Sequence, residues 1–171
     1  ILERLCETNM EETPGYGEDE YCERARGLIQ KVIQNKDAQV HFLVGGTQTN
    51  TTVISASLRP HQGVLTAQSG HVAVHETGAI EAVNHKVLTL LSQNGKLNAS
   101  QIDEYVEGHF KDESFEHMVQ PKMVYLSHPT ELGTLYTRKE IEEIAQICKK
   151  WDLYLYLDGA RLGYGLGVVE S

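Results

Sequence analysis

Two hydrophobic patterns alternate along the chain. Short apolar runs bounded by polar clusters read as buried strands, and longer stretches with apolar residues three or four apart read as helices. Runs at 40–44, 63–67, 84–92, 123–126 and 153–157 are of the first kind. The last of them, Leu-Tyr-Leu-Tyr-Leu, has the unbroken apolar character of a strand buried on both faces of a sheet. Helical spacing is found at 1–12, where Ile1, Leu2, Leu5 and Asn9 share a face, and again from the acids at 18–20 to about Asn35, with Ala25, Leu28, Ile29, Val32 and Ile33 at core positions. Further helices are predicted over 51–58, over 71–82, from Asn98 onward and over 141–150. Thr137 and Glu140 form a capping-box pattern ahead of the last, and Ile141, Ile144, Ala145 and Cys148 supply its apolar face. Residues 108–122 read as a solvated loop, and Asn94-Gly95 as a turn. Strand and helix follow one another repeatedly, which is the pattern of an α/β, doubly wound sheet.

Composition narrows the function classes. The 171 residues carry 15 Lys+Arg against 24 Asp+Glu, a formal charge of −9. That balance opposes nucleic-acid binding, and no apolar run approaches the length of a membrane span. Cys6, Cys22 and Cys148 show neither CxxC nor CxxxH spacing. Unpaired cysteines of this kind are the usage of a reducing compartment, here the cytoplasm. The chain starts at Ile1 within a helical pattern and stops at Ser171 with no closing element, so it reads as a piece of something longer.

The chemistry sits where strands end. After the run at 40–44 come Gly45-Gly46-Thr47-Gln48-Thr49-Asn50 and a helix start. Glycines let a ligand approach the backbone, and amides at a helix N-terminus favour an anion, so this is a candidate phosphate site. It is neither a Walker nor a GxGxxG motif, and the plain alternative is a Gly-rich turn capped by Thr47. After the run at 63–67, Ser69-Gly70-His71 opens a segment with His71, His75 and Glu76 close together. It is not an HExxH zinc motif, because Val72 stands where the glutamate is needed. The run at 123–126 leads into Ser127-His128-Pro129-Thr130-Glu131. The run at 153–157 ends on Asp158-Gly159-Ala160-Arg161, an acid and a guanidinium on the ligand-binding rim of an α/β sheet. Their plain alternative is a salt bridge closing a loop.

Taken in order, GGTQTN, SGHxxxxETGA and LYLDGARL resemble the fold-type-I pyridoxal-phosphate enzymes, specifically the threonine aldolase and β-eliminating lyase family. The resemblance spans most of the chain and implies a three-layer α/β/α, mostly parallel sheet like the large domain of aspartate aminotransferase. Residues 1–171 would be one incomplete cofactor-binding domain beginning with a short helical segment, 1–12. It also implies roles. Gly45, Gly46 and Thr47 would hold the phosphate of pyridoxal phosphate, and His71 would stack on its ring and exchange protons with a substrate hydroxyl. Asp158 would pair with the pyridinium nitrogen. Arg161 would take the substrate α-carboxylate or a neighbouring cofactor contact. Tyr16 would lie near a cofactor, its own subunit's or a partner's, and Glu76 would support the His71 segment rather than do chemistry.

Two departures qualify this. Many threonine aldolases carry Asn-Thr-His where this chain has Thr130-Glu131, so Glu131 takes the substrate-side position and His128 is shifted. The lysine that bonds the cofactor lies, in the family, further beyond Arg161 than Ser171, and Lys96, Lys122, Lys139, Lys149 and Lys150 are in the wrong context. The expected activity is cleavage of a β-hydroxy amino acid to glycine and an aldehyde, by a full-length homodimer or homotetramer, with the present chain inactive alone. The alternatives are β-elimination to a keto acid and ammonia, and a non-catalytic α/β module for a phosphorylated ligand.

Overall fold

The computed structural model describes residues 1–169. They form two compact units, the first Ile1–Val44 and the second from Gly45 onward.

The N-terminal unit holds α1 (Leu2–Thr8) and α2 (Glu20–Val32). An Arg4–Glu7 pair at 2.9 Å braces α1. Asp19 caps α2 by accepting from the Cys22 amide at 2.9 Å, satisfying one of the amides a helix start leaves open. Between the helices, Tyr16 (φ 63°) and Gly17 (φ 74°) both take the left-handed conformation, and Arg26 fastens this turn by donating to the Gly17 carbonyl at 2.6 Å. Neither helix buries a residue. The core face predicted for α2 is therefore exposed, Val32 at 81 %. The strand predicted over 40–44 does not form: the segment is irregular backbone outside the sheet, with Phe42 and Leu43 exposed. Apolar sequence alone does not make a strand where no ladder is provided.

The second unit is built on a four-stranded parallel sheet, β1 (Gln62–Ala67), β2 (Val87–Leu90), β3 (Gln120–Ser127) and β4 (Tyr154–Asp158), in the order β2-β1-β3-β4. From β1 the chain steps one way to β2, then returns past β1 to β3 and on to β4. The direction of winding thus reverses between β1 and β3, and such a switch point opens a crevice at the carboxyl ends of the strands.

Strand alternation sends neighbouring residues to opposite faces, and helices cover both. On one face Leu65, Val124 and Leu126 pack with Ile102 and Val106 of α6 (Ala99–Lys111) and Ile144 of α7 (Arg138–Lys150). On the other, Val64, Met123 and Tyr125 pack with Ile54 of α3 (Gly46–Ser57), Val72 of α4 (His71–Val74) and Ile80 of α5 (Ala79–Ala82). The last helix, α8, is Leu162–Val169. Capping boxes start α6, with Asn98 and Gln101, and α7, with the predicted pair Thr137 and Glu140.

Three expectations are corrected here. The helix expected over 71–82 is two short ones, because Thr77 (φ 50°) and Gly78 (φ 76°) turn left-handed between them. The loop expected over 108–122 holds the end of α6, a 3₁₀ turn at Phe115–His117 and the start of β3. And β4 is not buried on both faces: among the described residues it pairs with β3 alone, and Tyr154 is 50 % exposed.

Strand β1 also limits its own sequence. A Cβ on Gly63 would lie 2.7 Å from the Lys86 carbonyl oxygen and 2.9 Å from Val119 Cγ1. Since backbone cannot step aside as a side-chain tip can, Gly63→Ala is expected to cost about 1–3 kcal/mol in chemical denaturation.

Candidate active site

Because the sheet is parallel, β1, β3 and β4 all end on the same rim. There a cleft is lined by Gly46, Asn50, His71, Ser127, Glu131, Asp158, Ala160 and Arg161. Of the residues singled out in the sequence, the cleft brings together Gly46, His71, Glu131, Asp158 and Arg161. Gly45 is the N-cap of α3 and carries no side-chain cap, and Thr47 is exposed on the first turn of that helix. Tyr16 belongs to the N-terminal unit, where it is fully exposed.

Asp158 ends β4 in register with Ser127 of β3. Its Oδ1 accepts the Ala160 amide at 3.1 Å. Its Oδ2 accepts from the Tyr125 hydroxyl, in a very short contact, and from Asn50 Nδ2 at 3.3 Å. The loop salt bridge expected as the plain alternative is not formed: among the described ion pairs, neither Asp158 nor Arg161 takes part. Burial, with the Asp158 carboxylate beside it, pushes the Tyr125 phenol far above its ordinary range. Tyr125 therefore keeps its proton and donates it to Asp158. Burial also pushes the Tyr156 phenol up, to about 12.

His71 starts α4, with Gly70 as its cap. Glu76 follows two residues after the end of α4, and His71 Nδ1 lies 2.7 Å from Glu76 Oε1. Glu76 is 2 % exposed, and its other oxygen, Oε2, is buried with no hydrogen-bond partner among the described residues. Burial pushes the Glu76 carboxyl up, yet the bonds from Asn50 and His71 outweigh it and hold the group below its ordinary 4.5. A carboxyl lowered by folding stabilises the fold above its unfolded value and loses that contribution as pH falls through the folded one. Glu76→Gln is thus expected to flatten the loss of thermal stability below about pH 4.5, measured as Tm against pH.

On the far rim, Ser127 Oγ donates to Glu131 Oε1 at 2.5 Å. His128 is buried, and its Nδ1 accepts from the Tyr136 amide at 3.4 Å. It is not among the residues lining the cleft.

Asn50, Tyr125 and Tyr156 are the members that the sequence reading passed over. Asn50 is 2 % exposed, on α3 one turn after Gly46. The two tyrosines were read only as apolar filling of strands. The signal for them was the alternation Tyr154-Leu-Tyr156-Leu-Asp158, which puts Tyr156 on the face of Asp158, with Tyr125 opposite it in register.

Chemically, the cleft offers a carboxylate fed by three donors, an imidazole, a guanidinium and the start of α3, whose backbone amides suit an anion. The beta-eliminating lyase family model matches residues 1–163. A low specificity L-threonine aldolase from a Pseudomonas species is 32% identical over 85% of this chain and 41% of that protein. The structure of Leishmania major threonine aldolase is 47% identical, with a TM-score of 0.91, over 96% of this chain and 47% of that one. A PLP-bound C-S lyase from Staphylococcus hominis, 17% identical with a TM-score of 0.64 over 92% of this chain and 38% of that one, shares the fold. The chain spans about two fifths of the length of the curated relatives that it matches. With a match that runs from the first residue to beyond the aspartate and arginine of the cleft, the chain belongs to the beta-eliminating lyase family.

Proposed function

We propose that the full-length protein is a pyridoxal-phosphate lyase that cleaves the Cα–Cβ bond of a β-hydroxy amino acid, as a threonine aldolase does, giving glycine and an aldehyde. One observation carries the reading: the cleft gathers a helix start without a side-chain cap, His71 and Asp158 into one place. The named relatives in the family support it.

The residues fit the cofactor. A Cβ on Gly45 or Gly46 would meet nothing within 4 Å, so the backbone there is open to an approaching anion. The first-turn amides of α3 suit a phosphate, with the Thr47 hydroxyl beside them. At the other end Asp158 has no cationic side-chain partner among the described ion pairs, which suits a protonated pyridine nitrogen. Pyridoxal phosphate, when bound, supplies a ring that accepts the electron pair left when a bond to Cα breaks.

The chain's own residues do the rest. Asp158 keeps a positive charge favoured at the ring nitrogen. Arg161 orients the substrate by its carboxylate through a two-pronged bond. His71 lines the cleft and is held through Nδ1 by Glu76, which leaves Nε2 as the atom to take the proton of the substrate hydroxyl. Glu131, fixed by Ser127, borders the substrate side. The working form is a cytoplasmic homodimer or homotetramer, with Tyr16 beside a cofactor.

The test is product analysis of the full-length protein supplied with pyridoxal phosphate and L-threonine or L-allo-threonine. Glycine with acetaldehyde in equal amounts is expected. A keto acid with ammonia, and no glycine, would move the assignment to β-elimination.

A further inference from the structure

Asn50 touches two carboxylates, Asp158 of the cleft and the buried Glu76 that holds His71, and its bonding is forced. Its Nδ2 lies 2.7 Å from Glu76 Oε1 and 3.3 Å from Asp158 Oδ2, while its Oδ1 accepts from the Tyr156 hydroxyl at 2.7 Å. Ionised carboxylates only accept, so the amide nitrogen must face them and the carbonyl must face the phenol. Glu76 Oε1 also accepts from His71 Nδ1 at 2.7 Å, so Nδ1 carries the hydrogen and Nε2 of the neutral ring is bare. Without a donor between them, two carboxylates in one small space repel, and one takes up a proton. A proton taken up by the Glu76–His71 pair would go to the more basic imidazole, and an imidazolium has no bare nitrogen left to accept another.

We propose that Asn50 is a positioning residue: it bridges Glu76 and Asp158 as a double donor and, through Glu76, fixes His71 in the tautomer whose Nε2 accepts protons. The groups facing this network are Tyr125 and Ser127 from β3, Tyr156 and Asp158 from β4, Thr47 from α3 and His75 beside the His71 ring at 5.5 Å. Glu131 and Arg161 face it across the cleft. The tautomer follows from the chain alone; only its consequence for the cofactor rests on the function proposed above.

Asn50→Asp tests the polarity, since the side chain keeps its shape and loses both donors. Asn50→Leu removes all polarity, and Tyr156→Phe, a milder change, removes the donor to the Asn50 carbonyl and loosens the amide against the two carboxylates. Two quantities are measured on the full-length protein. One is the His71 tautomer in the 15N–1H spectrum of 15N-histidine-labelled apoprotein, assigned with His71→Gln. The other is the dissociation constant of pyridoxal phosphate. The wild type is expected to show the Nδ1–H form alone. Asn50→Asp and Asn50→Leu are expected to lose that single form and to bind pyridoxal phosphate about tenfold more weakly, and Tyr156→Phe to show a mixture. If Asn50→Asp does not fold, Tyr156→Phe decides by its tautomer. A variant series that keeps the single Nδ1–H form overturns the proposal. A wild type that binds no pyridoxal phosphate, yet shows the tautomer switching with Asn50, overturns the cofactor reading and supports the positioning role.

Discussion

Replacing Asp158 with asparagine is expected to lower kcat of the full-length protein about 10²–10³-fold, the usual cost of removing one preorganised charge contact from an active site. The substitution keeps the shape of the side chain. It removes the negative charge and turns one of its two acceptors into a donor. Of the three donors now converging on the carboxylate, Tyr125 can reverse its hydroxyl to accept, while the Asn50 amide at 3.3 Å cannot. Some destabilisation will follow, but a structural loss alone acts on Tm and leaves kcat of the folded fraction intact. Steady-state kinetics, with cofactor affinity measured by titration, separate the two. A variant with lowered Tm and unchanged kcat would return Asp158 to the status of a loop-closing acid.

The second large effect lies beneath the cleft. Leu65 is fully buried on β1, flanked by β2 and β3, and packs against the helices of one face. Leu65→Ala is expected to cost about 2–5 kcal/mol, the spread depending on how far the surroundings close on the cavity. Each kcal/mol moves Tm by about 2–4 °C for a chain of this size. Denaturant unfolding with an unchanged m-value would show that the native packing, and not the unfolded state, carries the loss. The site suffers as well, because β1 leads directly into the segment that begins at His71.

What could be read from the sequence follows from how local each cause is. The capping box of Thr137 and Glu140, the turn at Asn94-Gly95 and the buried run at 123–126 depend on neighbours in the chain, and all three formed. Of the four polar clusters read at strand ends, the three after β1, β3 and β4 do end strands, and a parallel sheet puts every strand's carboxyl end on one rim. The failures have nonlocal causes. Residues 40–44 have a strand's composition and no ladder. The burial of 153–157 was inferred from its apolar run, but a strand's exposure is set by its place in the sheet, and β4 has a neighbour on one side only among the described residues. Asn50 stands within GGTQTN, but nothing near it in sequence shows that Glu76 and Asp158 converge on its amide. Hydrogen bonds that span 26 and 108 residues cannot be seen in a local pattern.

The contrast between the two units has a consequence for how the molecule breathes. Strands β1 and β3 lie inside the sheet under helices on both faces, so their amides should open to solvent only when the whole sheet comes apart. Helices α1 and α2 bury no residue and hold their shape by caps, turns and ion pairs exposed to water. Each of those contacts is weak alone, so the N-terminal helices can fray and re-form many times while the sheet stays closed.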